Sequence, residues 1–203
     1  MNRTRFEELL SEVEINDIKK IGERLNQHIP EWFTFLEFAW SFLTTRGVSK
    51  PIVVEIGILD GRQKRFYEEI LNAEYIGIDI NPKSAATIIG DSQSFAVMDG
   101  LKKILDGREI DLLFIDGLHT YKGVKSDYMN FHPLVKHLTA IHDILTPKIS
   151  LQDTVDVIRF WDELKLWNKD DTLVTIQHHN PRGSKDFNGR PLGIGMVLKG
   201  QVK

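Results

Sequence analysis

The stretch PIVVEIGILDGRQKRF, residues 51–66, decides how the rest of the chain is read. A run of β-branched residues ends in Glu55, glycines follow at Gly57 and Gly61, and a charged stretch then begins. β-branched residues favour a strand, and glycine permits a tight turn and a close approach of backbone to a ligand. The unit reads as strand, turn and helix, with any ligand at the turn. A dinucleotide fold would place three glycines here as GxGxxG. This turn lacks the third and has an acid before the first. That disfavours a pyrophosphate and suits a cationic ligand, such as an amino acid's ammonium group.

Downstream, the same alternation repeats. Apolar runs predict strands at 52–56, 75–79, 87–89, 110–115, 140–142, 172–176 and 193–199, and helices at 62–71, 94–105, 121–137 and 153–168. Such alternation implies a parallel sheet covered on both faces. No helix separates the last two strands, so they should pair antiparallel. The expected fold is α/β: a Rossmann-like, doubly wound, seven-stranded sheet, mostly parallel with the last strand antiparallel, preceded by N-terminal helices.

Upstream, residues 11–28 read as a helix with a capping box at Ser11 and Glu14 and a stripe of Ile18, Ile21, Leu25 and Ile29, ended by Pro30. A second helix, 31–45, is aromatic almost all round and reads as core, with a dimer face or substrate lid as alternatives. The division expected is an N-terminal helical appendage, 1–48, and a ligand-binding domain, 49–203.

Composition sets bounds. The chain has 203 residues, 41% hydrophobic and 27% charged, with a formal net charge of -3. It has no global pull toward nucleic acid or an anionic membrane. The absence of cysteine excludes disulfides and thiol catalysis. The N-terminus is too charged for a signal peptide, and the apolar cluster at 32–43 is too short to span a bilayer. A soluble, cytoplasmic protein is expected.

In a doubly wound sheet, ligands sit beyond the carboxyl ends of the strands. The second strand ends in Asp79, where an acid can chelate the hydroxyls of a ribose. The third is followed by Asp91 and Ser92, which can reach an adenine. Each acid alone also reads as a helix N-cap. Three acids after three successive strands describe a pocket for a nucleoside with a cationic amino-acid tail and no phosphate, which is S-adenosylmethionine. The fourth strand gives FIDGLHTYKGVKSDY (114–128), with Asp116, Gly117, His119 and Tyr121; the fifth ends in His142 and Asp143.

On VVEIGILDG, YIGIDINP, IIGDS, FIDGLHTYKGVKSDY, the HDI after strand five and the WDEL helix, the chain resembles the class I S-adenosylmethionine-dependent methyltransferases. It looks most like the small bacterial branch related to cephalosporin-hydroxylase-like and sugar O-methyltransferases. The resemblance implies that Glu55, Gly57 and Gly61 hold the methionine part of the cofactor, Asp79 the ribose, and Asp91 with Ser92 the adenine end. It places Asp116 both among the cofactor-binding positions and, with His142 and Asp143, as ligand to a divalent cation, magnesium or manganese. His142 departs from relatives that carry a second carboxylate there, and TAIHD lacks their Pro-Gly-Gly turn. His119, His142 and Asp143 are the candidate catalytic residues. Tyr121 and Asp127 read as shaping the following helix, and His28, His132 and His137 as structural or surface residues in helical stretches.

The loop 177–192, with His178, His179, Arg182, Lys185 and Arg190 against Asp186, reads as part of an acceptor pocket, and 145–154 as another wall. The function expected is O-methylation of a small polar acceptor, sugar-like or natural-product-like. Alternatives are a metal-dependent hydrolase or oxygenase-like enzyme and a non-catalytic nucleoside-binding protein. Nucleic acid is not an expected partner; a homodimer is compatible with the aromatic helix.

Overall fold

The computed structural model describes residues 3–19, 27–145, 155–178 and 192–200. The opening stretch forms β1 (Ile52–Ile56), a glycine turn and α3 (Lys64–Leu71). Before it come α1 (Arg3–Lys19) and α2 (Ile29–Thr45). After it come β2 (Glu74–Asp79), β3 (Ile88–Ile89), α4 (Phe95–Leu105), β4 (Ile110–Ile115), α5 (Tyr121–Phe131), β5 (Val135–His142), α6 (Val157–Trp167), β6 (Thr172–Ile176) and β7 (Ile194–Leu198).

The seven strands form one sheet in the order β3-β2-β1-β4-β5-β7-β6. β1 pairs in parallel with β2 and β4, β2 with β3, and β4 with β5. β7 slots between β5 and β6, antiparallel to both. The strand order reverses between β1 and β4, and that switch point is where a doubly wound sheet opens a crevice for a ligand.

Side chains alternate across the sheet because the strand period is two. Val54 and Ile56 of β1, with Leu113 and Ile115 of β4, pack in a core with α4, α5 and α6. Val53, Leu112 and Phe114 face a second core with α1, α2 and α3. Three helices therefore cover each face. The N-terminal helices share a continuous core with the sheet: Trp32 of α2 lies edge-on to Tyr67 and Phe114, with ring centroids 5.4 Å apart in each pair. The aromatic residues of α2 are core, with Phe38, Trp40 and Phe42 on its half-buried side.

Several boundaries differ from the sequence reading. The first helix begins at Arg3, so Ser11 lies inside it and caps nothing. It starts eight residues ahead of the expected helix, and its buried stripe is Phe6, Leu9 and Val13, at helical spacing. Residues 20–26 lie outside the described residues. Pro30 occupies the first turn of α2, where its missing N–H has no partner to lose. The helix expected over 121–137 stops at Phe131. A single 3₁₀ turn at His132–Leu134, carrying Pro133, leads into an eight-residue β5 that was expected only at 140–142. His137 is thus on a strand, and His28 precedes α2 as its N-cap residue. Among the described residues, no helix is long and apolar enough to cross a membrane.

Candidate functional site

The ends of β1, β2, β3, β4 and β5 surround a cavity of about 600 Å³. Its floor begins at Gly57, whose φ is +84°. A Cβ there would lie 2.3 Å from the backbone oxygen of Asp116, so only glycine lets the turns after β1 and β4 close on each other. The Gly57 N–H donates to the Ile78 carbonyl, and the Asp116 N–H to the Ile56 carbonyl, both at 2.9 Å. Gly57 therefore permits contact between two chain segments first, and the approach of a ligand second.

Asp79, at the end of β2, lines the cavity. Its Oδ2 accepts the Leu59 N–H at 2.8 Å and its Oδ1 the Asn81 N–H at 2.7 Å. The first bond holds Leu59 at φ +54°, a conformation that disfavours L side chains and fixes the glycine turn. Asp91 and Ser92 line the adjoining part of the cavity. Asp91 Oδ1 accepts the Gln93 N–H at 2.9 Å, and the Ser92 hydroxyl donates to Asp127 Oδ1 at 2.7 Å. Asp127 is buried; burial pushes its carboxyl up to about 6 against the Ser92 bond, with the Asp91 charge adding to the rise. Asp127 thus anchors a cavity residue as well as its helix. Tyr121 bonds Glu163 of α6 and stays outside the cavity.

Glu55 and Gly61 do not line the cavity. Glu55 faces the α1–α3 core, fully buried, and accepts the Tyr75 hydroxyl. Burial pushes its carboxyl up to about 8, even against that bond. Its direction follows from strand alternation: with Val54 on one face, Glu55 must take the other. It supports the turn from beneath rather than meeting a ligand in the cavity.

Beyond β4 and β5 the cavity ends in a cluster of acids and imidazoles. Asp116 Oδ1 accepts His142 Nδ1–H at 2.9 Å and His119 Nε2–H at 3.1 Å. The other nitrogen of His119 lies 3.1 Å from Asp143 Oδ2, so this ring bridges both acids. Burial alone would raise Asp116, but the two imidazoles hold it well below the usual carboxylate range. Burial alone would lower His142, but Asp116 and Asp143 carry it up to about 9. His119 is raised chiefly by its bond to Asp116. Asp143 sits at φ +61°, which turns its carboxylate back toward the cluster.

Asp116, His142 and Asp143 each offer a ligand atom, and these atoms lie within 4.8 Å of one another. Among the described residues, His142 Nε2 is buried without a partner. Two carboxylate oxygens and one imidazole nitrogen fit a divalent cation.

Two further side chains reach this centre from the N-terminal segment, and the sequence reading did not single them out. Gln27 Nε2 donates to Asp116 Oδ2 at 2.6 Å. Glu31, at the start of α2, accepts the His178 N–H at 3.2 Å and the Gly193 N–H at 3.1 Å. It thereby pins both ends of the expected acceptor loop. His179, Arg182, Lys185, Asp186 and Arg190 of that loop lie outside the described residues, as does 146–154 of the other expected wall. His132 stacks on Tyr128 at 4.4 Å and His137 sits 3.7 Å from Asp111, both away from the cavity.

Residues 54–144 match the family model described as a methyltransferase domain. Among curated proteins, none matches the sequence. The fold is similar to that of TomG, the O-methyltransferase of tomaymycin synthesis from Streptomyces achromogenes, solved in complex with S-adenosylmethionine. The two are 14% identical over 94% of this chain and 88% of TomG, with a TM-score of 0.59. An O-methyltransferase from Bacillus cereus, solved with S-adenosylhomocysteine, is 15% identical over 94% of this chain and 90% of its own, with a TM-score of 0.57. MycE, a methyltransferase of the mycinamycin pathway solved with magnesium and S-adenosylhomocysteine, is 18% identical over 93% of this chain, with a TM-score of 0.57. This chain spans only 54% of MycE. At these identities the likeness is one of fold.

Proposed function

We propose that this chain, whose residues 54–144 match a methyltransferase domain, moves the methyl of S-adenosylmethionine to an oxygen of a small polar acceptor, sugar-like or natural-product-like, with help from magnesium or manganese. The observation that carries the reading is one continuous cavity, with Asp79, Asp91 and Ser92 at one end and the His119, His142, Asp116 and Asp143 cluster at the other. A nucleoside in the first half leaves its sulfonium facing the second.

Asp79 holds the ribose hydroxyls with the oxygen lone pairs its two backbone bonds leave free. Ser92 directs its hydroxyl hydrogen bond to Asp127, so its oxygen is left to accept the adenine amine. Asp116, His142 and Asp143 would hold the cation, which when bound orients the acceptor and lowers the pKa of its hydroxyl. The transferred methyl is activated on sulfur, so the protein must align the nucleophile and remove one proton. His119 is the more exposed ring of the cluster and is the base at its rim. The base is His119 in its neutral form: Nε2–H stays on Asp116, the hydroxyl proton passes to Nδ1, and the oxygen bonds to the methyl. The carbon–sulfur bond breaks, leaving a neutral thioether. Asp116 and Asp143 hold the ring on either side and stabilise the imidazolium it becomes.

Calorimetric titration of S-adenosylmethionine and S-adenosylhomocysteine, with and without magnesium or manganese, tests this. Micromolar binding is expected in the wild type. Losing two bonds to a charged acceptor removes ~3 kcal/mol or more, about 100-fold, in Asp79→Ala. Wild-type protein that binds neither nucleoside under any condition overturns the reading. Binding with no transfer to any acceptor leaves a nucleoside-binding protein instead.

A further inference from the structure

Two polar side chains of the segment 27–31 are buried against the cation centre, and neither serves the nucleoside end of the cavity. Gln27 is 5% exposed and its amide donates to Asp116 Oδ2, the oxygen that neither imidazole uses. That bond leaves Oδ1 turned toward His142 and His119. Its own Oε1 is buried with no partner among the described residues, beside a carboxylate of the candidate cation site. A buried amide oxygen left unpaired is destabilising, and none of the described residues supplies the missing donor.

Glu31 acts on the other carboxylate through the backbone. It accepts the Gly193 N–H. The carbonyls of Gly193 and Leu192 in turn accept the N–H groups of Ile144 and Leu145, the residues immediately after Asp143. Asp143 is in a left-handed conformation that L residues keep only when their surroundings hold it. The two carboxylates that must share one cation are therefore each tied to the same short segment. Asp116 is tied directly through Gln27 and Asp143 at one remove through Glu31.

We propose that residues 27–31 are a brace that sets the cation site. Gln27 is a positioning residue that aims Asp116, and Glu31 fixes the turn that carries Asp143. The inference rests on the cation-assisted reading above and deepens it. A helical segment ahead of the sheet thereby decides whether the site can assemble, while the nucleoside half stands without it.

The test compares wild type, Gln27→Leu and Gln27→Asn, each titrated with manganese in the presence of S-adenosylhomocysteine, and with S-adenosylhomocysteine alone. Partners one shell beyond a metal's ligands typically change its affinity about 10- to 100-fold. Gln27→Leu should weaken manganese by about that factor. Gln27→Asn keeps an amide but withdraws it by one methylene from Asp116, so it should weaken manganese as well. S-adenosylhomocysteine affinity should stay the same in all three. Manganese affinity unchanged in Gln27→Leu overturns the brace. Equal loss of manganese and nucleoside binding in both variants also overturns it, because a merely structural glutamine behaves that way. Wild type that binds the nucleoside but no manganese overturns the cation reading and the brace together, and leaves the nucleoside half standing. Should Gln27→Leu fail to fold, Gln27→Asn decides: manganese binding unchanged there overturns the proposal.

Discussion

Replacing Gly57 by alanine tests the contact on which the cavity floor depends. Two penalties fall on that substitution. Gly57 has φ +84°, and an L residue in left-handed backbone is disfavoured by ~1–2 kcal/mol. The new Cβ would also meet the Asp116 carbonyl oxygen at 2.3 Å, Gly117 Cα at 2.5 Å and the Asp116 carbonyl carbon at 2.6 Å. All three are backbone atoms, held by the hydrogen bonds that join β1 to β2 and to β4, so no side chain can swing aside. Forced overpacking of this kind adds ~1–3 kcal/mol or more. Gly107 supplies the control: its φ is +81°, and nothing lies within 4 Å of the Cβ it would gain. Gly107→Ala should lose only the conformational part. Urea unfolding should therefore place Gly57→Ala ~2 kcal/mol or more below Gly107→Ala. Equal losses, within ~0.5 kcal/mol, would mean that the turns do not meet as described.

Glu55 gives a pH signature. Its carboxyl is raised in the fold from 4.5 to about 8, first by burial. The stability of the protonated form is fully present below the unfolded value and is lost as pH rises through the folded one. Glu55→Gln stays neutral throughout, so it should gain on the wild type by ~2 kcal/mol or more between pH 5 and pH 8 in urea unfolding. A difference that stays flat with pH would contradict the burial argument. Ser92→Ala deprives buried Asp127 of its hydrogen bond while its Oδ2 already has no partner among the described residues. The loss should be ~1–3 kcal/mol at pH 7.5 and smaller below the Asp127 value of about 6, where the acid is neutral. A loss independent of pH would place the effect elsewhere.

The parts of the site that the sequence makes legible are those that sit where topology must put them. An acid ending a strand near the switch point has only the crevice to face, which is why Asp79, Asp91 and Asp116 could be picked out before any coordinates. Glu55 was equally visible as a strand-end acid, but its face is set by the two-residue period: once Val54 packs under α4–α6, Glu55 belongs under α2 and α3. The period was available in the sequence, and it is a better guide to Glu55 than its place in a glycine motif. The end of α5 was misread because the apolar residues after Phe131 suit helix or strand alike. Pro133 and the pairing of Val135 with Ile110 decide for the strand.

Gln27 left no local trace at all, and Glu31 only one. They act on residues 89 to 162 positions away, Gln27 through one hydrogen bond and Glu31 through two. Periodicity can say that a helix buries one face, but it cannot say that a glutamine just ahead of that helix will meet a carboxylate across the fold. What the sequence could have shown is the anomaly of Glu31, an acid beside Trp32 and Phe33 on a helix read as core. A charge placed there must be paired or hydrogen-bonded. Here its partners are the two backbone ends of the expected acceptor loop and His28. The N-terminal helices thus do more than cover a sheet face, because their first buried charge holds His178 and Gly193, at the two ends of the expected acceptor loop.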